Sequence, residues 1–197
     1  MEKNILYYSN NAEALAEQYD NVPFESVHKD WLEEIPEQGM VLDVGAGSGR
    51  DARYLSEQGL QVYAVEPAKA LIALAKEKSL KCNITWYQDR LPDLEKIKKL
   101  DIKFDLILLS AVWMHLSSDE RAISLQNMAS LLSPGGKLVI TLRHGEFSDG
   151  RTAFQLSTEE VCHLAADNGL SVLLTTDLIR DQLGRGNVVW QTVVLGK

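Results

Sequence analysis

The chain has 197 residues, 45% hydrophobic and 24% charged, enough for one ordinary domain that buries its core without disulfide or metal staples. A formal net charge of −8 excludes a broad phosphate-binding surface, so no nucleic-acid partner is expected. The two cysteines, Cys82 and Cys162, match neither a disulfide framework nor a Cys-x-x-Cys motif, as reduced thiols of a cytoplasmic protein would.

The opening MEKNILYYSNN has no apolar signal core, and the most apolar stretch, residues 104–114, is too short to span a bilayer. Neither export nor a membrane partner is expected. After this polar start, residues 10–20 and 24–34 are predicted as two short helices split by Asn21-Val22-Pro23. Residues 1–38 are expected to form a helical cover on an α/β core of residues 39–197, the whole a single domain.

From Met40 the pattern becomes an alternation of strands and helices. Strands are predicted at 40–44, 61–65, 83–87, 104–109 and 137–142, with helices between them. Pro67 suits the first turn of the helix after the second strand. Residues 104–109 (FDLILL) are apolar on both alternating sets, as a strand covered on two faces should be. Ser117 and Glu120 have capping-box spacing before a helix reaching Leu132, where Pro134-Gly135-Gly136 is expected to break the chain. Another such box, Ser157 with Glu160, opens a helix that Gly169 ends. Two last strands, 170–176 and 188–195, have no helical pattern between them and should pair antiparallel. The basic cluster Lys96, Lys98, Lys99 and Lys103, broken by Asp101 and Asp105, reads as a solvated helix end. The expected architecture is a doubly wound, mostly parallel, seven-stranded α/β sheet, with its ligand at the carboxyl ends of the strands.

The first strand runs directly into Asp43-Val44-Gly45-Ala46-Gly47-Ser48-Gly49, and a helix follows at Arg50. Glycines at alternate positions permit positive φ and let a ligand approach the backbone, and the helix beyond presents free N–H groups. Ser48 and Asp51 could form its capping box. A tight turn packing helix on strand is the structural alternative. Arg50 stands where a dinucleotide-binding turn wants a small residue, which argues against a pyrophosphate cradle and a nicotinamide cofactor. Glu66, at the end of the second strand, is placed to accept hydrogen bonds from ribose hydroxyls; it could also serve as a helix N-terminal acid.

Residues 41–49 resemble the first motif of the class I S-adenosylmethionine-dependent methyltransferases. Val65-Glu66-Pro67 resembles the family's second-strand acid, and residues 131–138 (LLSPGGKL) its turn into strand five. The similarity runs from about Met40 to Thr141 and suggests a small, stand-alone, bacterial-type member with a Rossmann-like fold. It implies that S-adenosylmethionine is the cofactor, S-adenosylhomocysteine the product, and no metal is needed. It implies that Gly45, Ala46, Gly47 and Gly49 lie against the methionine part and that Asp43 supports their loop. Glu66 and the adjoining Pro67 would meet the ribose, Asp89 and Arg90 the adenine, and Ser110 would face the cofactor through its backbone. A turn-stabilising role for Asp89 stays open.

Methyl transfer from a sulfonium is an in-line displacement needing alignment and exclusion of water; a base helps only where the acceptor must lose a proton. His115 and Arg143, beyond strands four and five, are the candidates for the chemistry. Trp113, His115, Arg143, Tyr8 and Tyr19 are expected to line the acceptor pocket. Trp113 could equally be core, His115 a loop fastener, and Arg143 either a contact for an acidic acceptor or part of a solvated loop with His144. Tyr7 and Trp31 belong to the same N-terminal segment as Tyr8 and Tyr19, whose rings could be packing anchors instead. His28 and His163 fall in predicted helices as structural or surface residues. No Pro-Pro-aromatic or Pro-Cys sequence follows strand four, so amino-directed nucleobase and cytosine C5 methylation are not expected. The function expected is methylation of a small molecule by a monomer or homodimer. The alternatives are a non-catalytic scaffold or activator of a partner protein, and methylation of RNA or protein.

Overall fold

Successive residues of a strand face opposite sides, and the central strands of this chain are apolar on both sides. In the computed structural model, which describes residues 2–197, these strands form the middle of one twisted sheet. The strands are β1 (Met40–Val44), β2 (Gln61–Val65), β3 (Ile84–Tyr87), β4 (Phe104–Leu109), β5 (Leu132–His144), β6 (Ser171–Thr175), β7 (Ile179–Arg180) and β8 (Val189–Gly196). Their order is β3-β2-β1-β4-β5-β8-β6, with β7 paired to β8. Strands β1 to β5 run parallel, and β8 lies antiparallel between β5 and β6.

The helices following β1 are α4 (Arg50–Glu57), α5 (Lys69–Lys78), α6 (Glu95–Lys98), α7 (Ser118–Leu131) and α8 (Thr158–Asp167). Leu42, Ile107, Leu138 and Ile140 pack with Leu125 and Met128 of α7 and Val161 of α8. Val41, Val62, Leu106, Leu108 and Val139 face the other way, onto Ala52 and Leu55 of α4 and onto Phe24 and Trp31. Each fully buried large apolar side chain contributes roughly 1.5–3 kcal/mol, so the two layers fix the sheet between them. The strand order reverses between β1 and β4, and the carboxyl ends there open into a crevice.

Three features depart from the predicted elements. The polar start forms helix α1 (Glu2–Asn10), followed by α2 (Ala12–Asp20), α3 (Phe24–His28) and a 3-10 turn (Lys29–Glu34). Helices α1 and α2 lie on α5, through Ala12, Ala16, Ala68 and Leu71 with Ile5 and Tyr8 against them. Pro134-Gly135-Gly136 does not interrupt the chain: β5 already starts at Leu132. The register with β4 slips between Phe104↔Leu132 and Leu106↔Lys137, so the glycines form a bulge. Gly136 allows this close approach, because a Cβ there would sit 2.8 Å from the Phe104 carbonyl oxygen. Finally, the segment joining the last two predicted strands contributes the two-residue β7, making the sheet eight-stranded. Among the described residues no helix is long and apolar enough to cross a membrane.

Candidate functional site

Strand β1 ends in a loop whose Gly45, Gly47 and Gly49 have φ of +78°, +56° and +77°. L side chains rarely adopt this region, so the loop's path needs glycine. Gly45 and Ala46 donate their N–H groups to the Val65 carbonyl at 2.8 and 2.9 Å, pinning the loop to the end of β2. Gly49, in the left-handed conformation, precedes α4 as its cap. The expected Ser48–Asp51 capping box does not form. Ser48 instead donates to Asp20 at 2.7 Å, and Asp20 is also paired with Arg53 and Lys78. Asp51 turns inward to His28 (3.0 Å) and Arg50 (2.6 Å).

Beneath the loop, Asp43 is 1% exposed and its Oδ2 has no hydrogen-bond partner. Burial, with the Asp51 carboxylate beside it, pushes the Asp43 carboxyl well above the ordinary range. Burial also resists ionisation of Asp51, but Arg50 and His28 outweigh it and hold that carboxyl low. Glu66 accepts from Gly47 N–H on Oε2 (2.9 Å) and from Ala68 N–H on Oε1 (2.7 Å). Its burial pushes the carboxyl up to about 7, against the opposing pull of those two donors.

Loop, cover and strand ends enclose a cavity of about 230 Å³. Of the residues singled out by sequence, Gly45, Ala46, Gly47, Glu66, Pro67, Arg90 and Ser110 line it. Tyr8, Tyr19, His115 and Arg143 line it too, with the Tyr19 ring beside Gly47. Asp43 lies below, out of direct reach. Gly49 is also outside, with the Trp86 ring 2.9 Å from where its Cβ would be. Asp89 is a cap: its Oδ2 accepts from Lys96 N–H at 2.7 Å and Ile97 N–H at 3.2 Å, the turn-stabilising role left open by the sequence.

Trp113 is a clear correction. It is fully buried in the core between sheet and α7, with the Arg121 guanidinium 5.9 Å from its ring centre. Residues 113–115 form a 3-10 turn, and roughly three residues per turn send neighbouring side chains in different directions. Trp113 goes inward, while Met114 and His115 reach the cavity.

His115 sits at the centre of a hydrogen-bonded chain. Its Nδ1 lies 2.8 Å from the Thr152 carbonyl and 2.9 Å from the Asn4 side-chain amide nitrogen. Its Nε2 shares a hydrogen bond of 2.9 Å with the Tyr8 hydroxyl, and Tyr8 accepts from Arg151 at 3.0 Å. Burial, with help from Arg151 and Arg143, pulls the imidazole down to about 4. Asn4 of α1 clasps the Thr152 backbone from both sides, donating to its carbonyl and accepting from its N–H, each at 2.8 Å.

Arg143, on β5 opposite Trp190 of β8, is 5% exposed. It donates to the Gly145 and Glu146 carbonyls and stacks on Phe147 at 3.9 Å. Arg151 stacks on the same ring at 4.0 Å. Asn4, Phe147 and Arg151 were not singled out by sequence, since each lies in a polar stretch with no motif.

A family model described as a methyltransferase domain matches residues 41–136. An uncharacterized methyltransferase of Alkaliphilus oremlandii is 33% identical over 109 residues, 52% of this chain and 45% of that protein. One from a Geobacillus species is 30% identical over 149 residues, 71% of this chain and 65% of that protein. The chain thus matches only about half to two thirds of the length of these relatives. Among solved structures, the N-methyltransferase NodS from Bradyrhizobium japonicum, in complex with S-adenosyl-L-homocysteine, aligns with a TM-score of 0.71 at 18% identity. That alignment covers 91% of this chain and 90% of NodS.

Proposed function

Because this chain belongs to the class I S-adenosylmethionine-dependent methyltransferase family, we propose that it transfers a methyl group from S-adenosylmethionine to a small molecule. The observation carrying the cofactor reading is Glu66, a buried carboxylate beside a positive-φ glycine loop and facing the cavity. Each carboxylate oxygen accepts one backbone N–H and has a further lone pair for a hydroxyl. Leu71 and Leu91 supply apolar wall beside it, suited to a flat base. The residues present therefore fit an adenine nucleoside with a hydroxylated ribose. Glu66 would hold the ribose, and the backbone of Gly45 to Gly47 would lie along the amino-acid part.

When bound, S-adenosylmethionine supplies a methyl group activated by its sulfonium. The chain's own contribution is binding, alignment and exclusion of water. Helices α1 and α2 roof the cavity, with Tyr8 and Tyr19 among the residues that line it. A roofed cavity in a chain of net charge −8 favours a small acceptor over a nucleic acid or an extended protein surface. His115 is unsuited to direct proton abstraction, since both its ring nitrogens are already engaged, Nδ1 by the Thr152 carbonyl and the Asn4 amide and Nε2 by the Tyr8 hydroxyl. Arg143, 5% exposed, would contact the acceptor.

Calorimetry with S-adenosylhomocysteine and with NAD, followed by incubation of metabolite extracts with methyl-labelled S-adenosylmethionine, tests this reading. Binding of the first nucleoside alone and label in a small product are expected. Binding without any labelled product would favour a scaffold, and NAD binding would sink the reading.

A further inference from the structure

Arginine side chains buried in proteins are ordinarily matched to an anion, because an uncompensated buried charge is costly. This chain buries two. Arg121 obeys the rule, with the Glu160 carboxylate 2.6 Å from its Nη1. Arg143 does not: among the described residues no carboxylate lies within ion-pair distance of it.

Its known partners are the carbonyls of Gly145 and Glu146, which are dipoles and carry no charge. The Nε hydrogen is buried without any partner. A guanidinium offers five N–H donors in a planar fork, so much of its capacity is unspent at the cavity wall. Nearby charges do not repair the deficit. Arg151 and Arg185 also line the cavity, and each is matched by one carboxylate, Asp149 and Asp181 respectively. Arg143, Arg151 and Arg185 thus share two carboxylates among them, and Arg180 lines the cavity as well, so positive charge is in excess here in a chain whose net charge is −8.

Phe147 holds Arg143 and Arg151 against its ring at 3.9 and 4.0 Å. Stacking of this kind fixes a guanidinium plane while leaving its edge free for a bidentate partner. The rings of Tyr8, Tyr19, Phe147 and Trp190 supply flat apolar wall to the same cavity.

We propose that Arg143 is the anchor of an anion subsite, and that the acceptor is a small organic anion with a flat body and a carboxylate or phosphate group. This rests on the proposed methyltransferase reading and specifies its substrate class. Arg143 lies at the end of β5 and Glu66 at the end of β2, with β1 and β4 between them. The anion is thereby assigned to the acceptor and not to the nucleoside.

The test is calorimetry on the full chain saturated with S-adenosylhomocysteine, using benzoate, phenyl phosphate and the uncharged benzamide as probes. At least one anion should bind about tenfold or more tighter than benzamide, and the tighter anion identifies the group. Arg143→Gln should abolish this preference and Arg143→Lys retain part of it, with S-adenosylhomocysteine affinity within a few-fold of the parent in both. Equal binding of anions and amide, no binding of any probe, or a preference surviving in Arg143→Gln would overturn the proposal. A matching loss of S-adenosylhomocysteine affinity in Arg143→Gln would also overturn it, by giving Arg143 to the cofactor. Failure of the parent chain to bind S-adenosylhomocysteine sinks the cofactor reading instead. The same anion series without nucleoside then decides the subsite.

Discussion

Tyr8 of α1 and His115 beyond β4, 107 residues apart in sequence, share a hydrogen bond of 2.9 Å that ties the cover to the sheet. Arg151 feeds this bond from one side and the Thr152 carbonyl closes it on the other. Buried within this chain, the imidazole is held neutral.

The histidine therefore leaves its mark on acid stability, and a rate rising through an ordinary imidazole pKa is not expected from it. Its pKa falls from 6.5 to about 4 on folding. The unfolded state then binds the extra proton first, so the contribution is present above about 6.5 and is lost as pH falls through about 4. His115→Asn should flatten the melting temperature against pH across that window. Equal acid sensitivity in parent and variant would contradict the assignment.

Glu66 gives the opposite sign. Its carboxyl rises from 4.5 to about 7 on folding, so its contribution to ligand-free stability is full below 4.5 and is lost as pH rises through about 7. Ionisation also prepares it to accept ribose hydroxyls, so S-adenosylhomocysteine affinity should climb through about pH 7. Glu66→Ala should lower that affinity at least tenfold, at roughly 1.5–3 kcal/mol per charge-assisted bond, and Glu66→Gln should make it independent of pH. Titrations at several pH values provide the check.

Gly47 is constrained by conformation more than by space. Its φ is +56°, yet a Cβ would meet only the Tyr19 ring, at 3.7 Å. Gly47→Val should cost about 1–2 kcal/mol for the left-handed backbone and weaken S-adenosylhomocysteine binding at least tenfold. Unaltered affinity in a folded variant would contradict the loop assignment.

Trp113→Ala should act on stability, because its ring is core. A loss of about 3–5 kcal/mol is typical of such truncations. Chemical denaturation should show it, while S-adenosylhomocysteine affinity of the folded fraction stays within a few-fold.

The sheet was legible because its information is local. Apolar runs such as residues 104–109, the glycines after Asp43 and the acid at position 66 need no distant partner to be recognised. What escaped depends on contacts across the chain. Nothing near Asn4 announces that it will meet Thr152, and the polar start becomes helical on a surface supplied by α5. Trp113 was misjudged for a related reason: a 3-10 turn has a different phase from a strand or an α-helix, and no periodicity is readable over three residues. Asp89 shows the reverse, a local capping role that was readable from sequence as the alternative to an adenine contact.

The Asn4–Thr152 clasp bears on timing. Two neutral hydrogen bonds contribute together about 1–3 kcal/mol, added to the Tyr8–His115 bond and to the packing of Ile5 and Tyr8 that also hold α1. A ligand whose route lay beneath α1 would wait on the release of all these contacts together. Association and escape are slowed alike, and affinity is untouched. Loosening the latch by Asn4→Ala would quicken both rates together, while removing a contact to the ligand would quicken escape alone.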